Sequence, residues 1–212
     1  MRVKICGIND VAGRDAAVAA GAAYLGFVFF AASPRNLLLS AARDLALGVA
    51  PGVAKVALTV NADDAALEAL LDAVPIDILQ LHGAETPERC AAVRERFGLP
   101  VMKAVGIRDE GDLPAIADYA RACDQILVDA KAPKDAALPG GNGLAFDWRL
   151  IAGHRWPVPW MLAGGLTPEN AAEAARLTGA RQLDVSSGVE TVPGVKDPAR
   201  IRAFLAGVAE LP

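Results

Sequence analysis

The sequence predicts an α/β fold in which parallel strands alternate with helices, and three observations predict it. Eight short apolar runs, mostly β-branched or aromatic, punctuate the chain. Stretches with helical periodicity, rich in Ala, Leu, Glu and Arg, separate them. Strand starts recur at intervals of roughly 22 to 34 residues, the length of one strand–helix unit with its loops.

Taken in order, the first run is VKIC (3–6), followed by a helical stretch at 10–20. YLGFVF (24–29) precedes 40–50, and AKVALTV (54–60) precedes 63–73. DILQL (77–81) leads to 87–97, where Thr86, Pro87 and Glu88 supply a hydroxyl N-cap, a proline at the first helical position and an early carboxylate. PVMKAV (100–105) precedes 112–122, and QILVDA (125–130) precedes a longer interval that is also expected to hold a helix. PWMLAG (159–164) leads to 168–177, with Thr167, Pro168 and Glu169 repeating the cap pattern. RQLDVSS (181–187) precedes the last helix at 198–209, which makes eight helices in all. Strands this apolar throughout are buried on both faces, which implies a parallel sheet covered by helices. Eight units could close into a barrel or stay an open doubly wound sheet. No GxGxxG follows the first strand, which weighs against the dinucleotide-binding open version. There is no linker or shift of composition, so residues 1–212 are expected to form one domain.

Composition narrows the function. Hydrophobic residues make up 53% of the chain, enough for a large core. The net charge of −4 and the absence of a Lys/Arg cluster argue against a nucleic-acid partner. Three separated cysteines, with no CxxC pair and only His82 and His154 to add imidazoles, argue against a disulfide scaffold or a metal site. Cys90 and Cys123 fall in helical stretches and read as core residues. Neither a signal-peptide pattern nor a membrane-length apolar run is present, so a cytoplasmic protein without a membrane partner is expected. With no obvious exposed apolar helix face, a monomer is expected.

In a parallel barrel the active site forms at the C-terminal strand ends. Those ends carry Cys6-Gly7, Ser33-Pro34-Arg35, Asn61, Gln80 to Gly83, Asp129, Gly164-Gly165 and Ser186 to Gly188, most of the chain's reactive groups in one ring. Taken alone, Cys6 reads as a core cysteine and Asp129 as a loop or capping carboxylate. Together they offer one proton acceptor and one donor across a barrel mouth. Apolar neighbours should keep Asp129 protonated, whereas Cys6 needs cations or donors nearby to act as a base. The glycine turns AGGLTPEN (163–170) and DVSSGVE (184–190) follow strands seven and eight, the recurrent phosphate site of such barrels. Arg35 could grip a carboxylate through two hydrogen bonds. His82 could serve as a base or be a satisfied structural histidine. PGGNG (139–143) reads as a lid or a connecting turn.

Seven segments in order, KICGI, GFVFFAASPR, QLHGAE, VDA, GGNGLAFDW, LAGGLTPEN and DVSSGVETVPGVKD, resemble the phosphoribosylanthranilate isomerase family essentially end to end. The resemblance implies a closed (β/α)8 TIM barrel and a cofactor-free enzyme of tryptophan biosynthesis. It would convert N-(5-phospho-β-D-ribosyl)anthranilate to 1-(2-carboxyphenylamino)-1-deoxy-D-ribulose 5-phosphate, with that phosphosugar its small-molecule partner. By the same resemblance Cys6 is the general base at sugar C2 and Asp129 the general acid at the ring oxygen. Arg35 engages the anthranilate carboxylate, and Gly164, Gly165, Ser187 and Gly188 hold the phosphate. Gln80 and His82 complete the substrate-binding set. Asn9 and Asn142 depart from the family's usual threonines, in loops at the mouth.

Strand parity adds one expectation. Lys4 shares a face with Cys6, and Asp184 with Ser186, so Lys4 and Asp184 should pair between strands one and eight and bring positive charge to Cys6. Related barrels fit less well: the indole-glycerol-phosphate synthase lysine is missing from YLGFVFF, and the histidine-pathway isomerase has an aspartate where this chain has Cys6. The alternative of another class is a catalytically silent phosphosugar-binding barrel, which would keep the glycine turns and lose Cys6 or Asp129.

Overall fold

The computed structural model describes residues 1–133, 138, 140, 141 and 143–211. Eight parallel strands close into a barrel in sequence order. They are β1 (Arg2–Cys6), β2 (Tyr24–Phe29), β3 (Ala54–Thr59), β4 (Ile78–Leu81), β5 (Val101–Ile107), β6 (Gln125–Ala130), β7 (Trp160–Leu162) and β8 (Gln182–Val185). The ring shuts where β8 pairs with β1 in the register Lys4 opposite Asp184. Helices α1 (Val11–Ala19), α2 (Leu39–Leu47), α3 (Asp64–Ala73), α4 (Pro87–Phe97), α5 (Pro114–Ala122), α6 (Ala171–Thr178) and α7 (Pro198–Val208) cover the outside. A short hairpin, β9 (Glu190–Val192) and β10 (Val195–Lys196), follows β8.

The period-two alternation of each strand divides two cores. Outward residues such as Ile5, Leu25, Phe27, Leu79 and Val128 pack under the helices in the main apolar cluster. Inward residues Tyr24, Val56, Met102, Leu127 and Met161 plug the barrel itself. Above that plug the inward series turns polar: Lys4 and Cys6 on β1, Gln80 on β4, Asp129 on β6 and Asp184 on β8 are all buried. The same alternation that builds the fold thus aims the polar set at one point.

Two expectations are corrected. Among the described residues the β6–β7 connection holds only a one-turn 3-10 helix, Trp148–Ile151, so seven α-helices stand where eight were expected. Pro133, Pro157, Pro159, Gly140, Gly141, Gly143 and Gly153 break that interval, removing donors and adding backbone freedom. Thr86 caps α4, accepting from the Arg89 N–H, but Thr167 does not cap α6. That helix begins at Ala171, because the Asn170 side chain folds back to accept from the Thr167 N–H at 2.7 Å and to donate to the Gly165 carbonyl at 2.9 Å. Those bonds spend the residues after β7 on a tight turn at the barrel mouth.

Candidate active site

Cys6, Ser33, Arg35, His82, Asp129, Gly164, Gly165, Ser186 and Ser187 line one cavity at the C-terminal mouth of the barrel. Its lining, apolar with a few convergent polar groups, is that of a small-molecule site. Gln80 lies behind this wall, fully buried beside His82. Gly188 lines an adjoining hollow with Gly165, Thr167, Ser187 and Arg200. Asn61 is not in the wall: its side chain accepts from the Ala84 N–H at 2.8 Å and braces the β3 and β4 loops against each other. Of PGGNG, Gly140, Gly141 and Gly143 line the cavity, while Pro139 and Asn142 lie outside the described residues.

On the β1 side the expected pair is present. Lys4 Nζ lies 3.0 Å from Asp184 Oδ1, with the lysine fully buried. Burial pulls the Lys4 ammonium down, yet the Asp184 carboxylate outweighs it and holds its pKa above the ordinary value. Cys6 responds the other way: burial pushes its thiol up, and Lys4, although it opposes this, does not overcome it. Lys4 therefore moderates the burial of Cys6 without making it a resting thiolate. The space for the sulfur comes from Gly26, its partner in register on β2. A Cβ at Gly26 would stand 3.0 Å from Cys6 Sγ and 3.1 Å from the Lys4 side chain.

Arg35 is committed more fully than its loop position implied. Its Nε and Nη2 donate to the two carboxylate oxygens of Glu190 at 2.7 and 2.8 Å, a bidentate pair. Lys196 Nζ adds a second cation to Glu190 at 2.6 Å and also donates to Ser186 O and Oγ. Burial opposes ionisation of Glu190, but the Arg35 and Lys196 contacts hold its carboxyl below the ordinary range. For Lys196 burial dominates and depresses the ammonium. Glu190 and Lys196 were missed by reading strand ends alone. The signal was available in ETVPGVK, where a Pro-Gly turn flanked by a Glu and a Lys folds into the β9–β10 hairpin and returns both charges to the mouth. Asn9 secures this hairpin, its side-chain amide donating to Gly194 O at 2.8 Å.

The far wall is a chain of close polar contacts. Gln80 Nε2 lies 2.9 Å from His82 Nδ1, and His82 Nε2 lies 3.3 Å from Asp129 Oδ2. Asp129 Oδ1 accepts from the Ala130 N–H at 2.8 Å. The two glycine turns meet beside it: a Cβ on Gly188 would lie 1.9 Å from the Leu166 carbonyl, so only glycine allows the β8 turn to reach the β7 turn. Arg200, half-exposed, brings positive charge to that junction while donating to Glu190 O at 2.7 Å. It escaped sequence reading because it comes from α7, far from any strand end.

Fold and mouth together define a TIM barrel with a small-molecule site at its C-terminal mouth. The model of the family described as N-(5'phosphoribosyl)anthranilate (PRA) isomerase matches residues 3–206. An N-(5'-phosphoribosyl)anthranilate isomerase of Cereibacter sphaeroides is 67% identical over 205 residues, 97% of each chain. One from Paracoccus denitrificans is 64% identical over 204 residues, 96% of this chain and 95% of that protein. The crystal structure of phosphoribosyl anthranilate isomerase from Thermotoga maritima superposes with a TM-score of 0.89 at 35% identity, covering 100% of both chains. The chain belongs to the N-(5'-phosphoribosyl)anthranilate isomerase family, and its activity is that isomerisation in tryptophan biosynthesis.

Proposed function

We propose that the isomerisation is carried by Asp129 as acid and Cys6 as base. The observation that carries this reading is that both line one cavity, from β6 and β1, with different neighbours: an imidazole 3.3 Å away for Asp129 and a buried ammonium for Cys6. A related isomerase, 34% identical with a TM-score of 0.86, has been solved with reduced 1-(o-carboxyphenylamino)-1-deoxyribulose 5-phosphate, which supports a ligand of this class in the same cavity. The phosphate is placed at the junction of the turns holding Gly164, Gly165, Ser187 and Gly188, within reach of Arg200. The carboxylate is placed against the remaining edge of Arg35, whose other edge Glu190 holds rigid.

The steps balance without an external reagent. Asp129 gives its proton to the furanose oxygen as the C1–O bond breaks, and the nitrogen lone pair forms a cationic Schiff base. That cation acidifies the C2–H, and the Cys6 thiolate, formed by loss of the thiol proton to solvent beside the new cation, takes the C2 proton and leaves a neutral enaminol. Ketonisation returns the enol proton to Asp129 and places the thiol proton on C1, restoring the acid and the thiolate, which regains its resting proton from solvent. A cysteine whose resting thiol is pushed up by burial suits this order, because it acts only once the substrate has become positive. The test follows loss of phosphoribosylanthranilate fluorescence. Cys6→Ala and Asp129→Asn should each lower kcat by roughly 10²–10⁴-fold; an unchanged rate in either overturns that residue's role.

A further inference from the structure

Behind the cavity wall lies an amide that the scheme above leaves idle. Gln80 is fully buried, and its Oε1 has no hydrogen-bond partner among the described residues, although the rest of its amide touches His82 Nδ1 at 2.9 Å. The two ends of a side-chain amide have the same shape, so a half turn about the last bond exchanges them. The choice decides where the imidazole proton lies. With the amide nitrogen facing the ring, Nδ1 must accept, the ring proton sits on Nε2, and Nε2 donates to Asp129 Oδ2. Asp129 Oδ1 already accepts from the Ala130 N–H. Both oxygens then face donors, so a proton on Asp129 would find no acceptor on the ring. With the amide oxygen facing the ring, Nδ1–H donates to Oε1, the amide nitrogen takes the place Oε1 had, and His82 Nε2 presents its lone pair 3.3 Å from Asp129 Oδ2. A hydrogen bond between them then needs a proton supplied by the pair.

We propose that Gln80 holds His82 with its proton on Nδ1, so that His82 Nε2 and Asp129 Oδ2 share the single proton used to open the sugar ring. The inference rests on Asp129 being the acid. Gln80 and His82 are positioning residues, acting through Asp129. Before reaction the pair is a carboxylic acid donating to Nε2, or equivalently a carboxylate accepting from an imidazolium. Transfer to the furanose oxygen leaves a carboxylate beside a neutral ring, and the enol proton refills the pair on ketonisation. No proton need leave Nδ1 at any stage, so the ring keeps one tautomer throughout turnover.

The chain has two histidines, which makes the test direct. Protein labelled with nitrogen-15 histidine is recorded by long-range proton–nitrogen correlation, and a His154→Gln variant assigns the spectrum. His154 lies away from the cavity, against Trp156. The expected result is a protonated, pyrrole-type Nδ1 for His82, and an unprotonated, pyridine-type Nδ1 overturns the proposal. That spectrum needs only the wild-type fold. Gln80→Glu, which can accept but not donate, should keep the Nδ1 proton and stay within about tenfold of the parent kcat. Gln80→Leu should lower kcat by roughly ten- to a hundredfold with KM little changed, a part of what a positioned acid supplies. A Gln80→Leu enzyme with unaltered kcat also overturns it. Failure here is separable from failure of the acid assignment: an active Asp129→Asn enzyme removes the acid, whereas an inactive one with a bare Nδ1 removes only the role of Gln80.

Discussion

Replacing Lys4 by Met tests the buried charge under Cys6. Lys4 Nζ and Asp184 Oδ1 are 3.0 Å apart inside the barrel. At an effective dielectric constant of about 20 their attraction is about 5.5 kcal/mol, before the cost of removing both charges from water. Methionine fills much of the space of the lysine stem, so the main effect is electrostatic: Asp184, 8% exposed, loses its cation. Breaking a buried pair from one side costs about 3–5 kcal/mol, and the Lys4→Met variant is expected to lose that much in urea unfolding at neutral pH. The pair's own net contribution is smaller, so Lys4→Met combined with Asp184→Asn should recover much of the loss, and the double-mutant cycle should show strong coupling. The folded Lys4 pKa lies above its ordinary 10.5, so its contribution is complete below that pH and fades only as pH rises through the folded value. The gap between parent and variant should therefore persist from neutrality to about pH 10. A second readout is chemical. Lys4 opposes the upward push of burial on the Cys6 thiol, so its loss should slow iodoacetamide alkylation of Cys6 at fixed pH, followed by peptide mass. A Lys4→Met protein less than about 1 kcal/mol weaker, with unchanged alkylation, would refute the electrostatic reasoning, since an unpaired buried charge cannot be that cheap.

Other outcomes follow from the same geometry. Gly26→Ala places a methyl 3.0 Å from Cys6 Sγ and 3.1 Å from the Cys6 backbone, so a loss of roughly 1–3 kcal/mol and a fall in kcat are expected in thermal melts and turnover assays. Glu190 has its folded pKa held below the ordinary 4.5, so its stabilising effect is present above that value and lost as pH falls through the folded one. Parent protein should accordingly lose stability more steeply than Glu190→Gln in acid titrations below about pH 4.5, and parallel curves would contradict the assignment. Arg35→Met should raise KM by roughly ten- to a hundredfold, the weight of a hydrogen bond to a charged group, and should spare a substrate analogue lacking the carboxylate.

Much of this was legible because a barrel converts period two into direction. Once eight strands were recognised, parity alone put Lys4 and Cys6 inward on β1 and Asp184 inward on β8, and the register bears out their pairing. Thr86 was readable as a cap because its interaction spans only three residues. The missing eighth helix was harder: the β6–β7 interval is long enough for one, and only its prolines and glycines argue otherwise. Glu190, Lys196 and Arg200 were hidden for a different reason. They reach the mouth from a hairpin and from α7, so their contribution depends on tertiary packing that no local pattern encodes. Arg35 shows the intermediate case, where the residue was recognised but its buried partner was not.

The two halves of the mouth are built from different electrostatics, and the difference suits two different proton transfers. On the side of β1, β2 and β8, the cations Lys4, Arg35 and Lys196 are matched with the anions Asp184 and Glu190, all buried and each held by at least one partner. Such an array keeps its charge through a reaction, so it can orient a sulfur and an anionic substrate without competing for the proton. On the side of β4 and β6, an amide, an imidazole and a carboxyl are joined in a line. In the proposed arrangement its imidazole and carboxyl share one proton, while the amide keeps the other ring nitrogen protonated. A fixed array would make a poor acid, since removing its proton would strand a charge; a hydrogen-bonded line would make a poor clamp for a doubly anionic ligand. In the proposed mechanism the carbon-bound proton goes to a group beside fixed charge, and the oxygen-bound proton comes from a group that can refill.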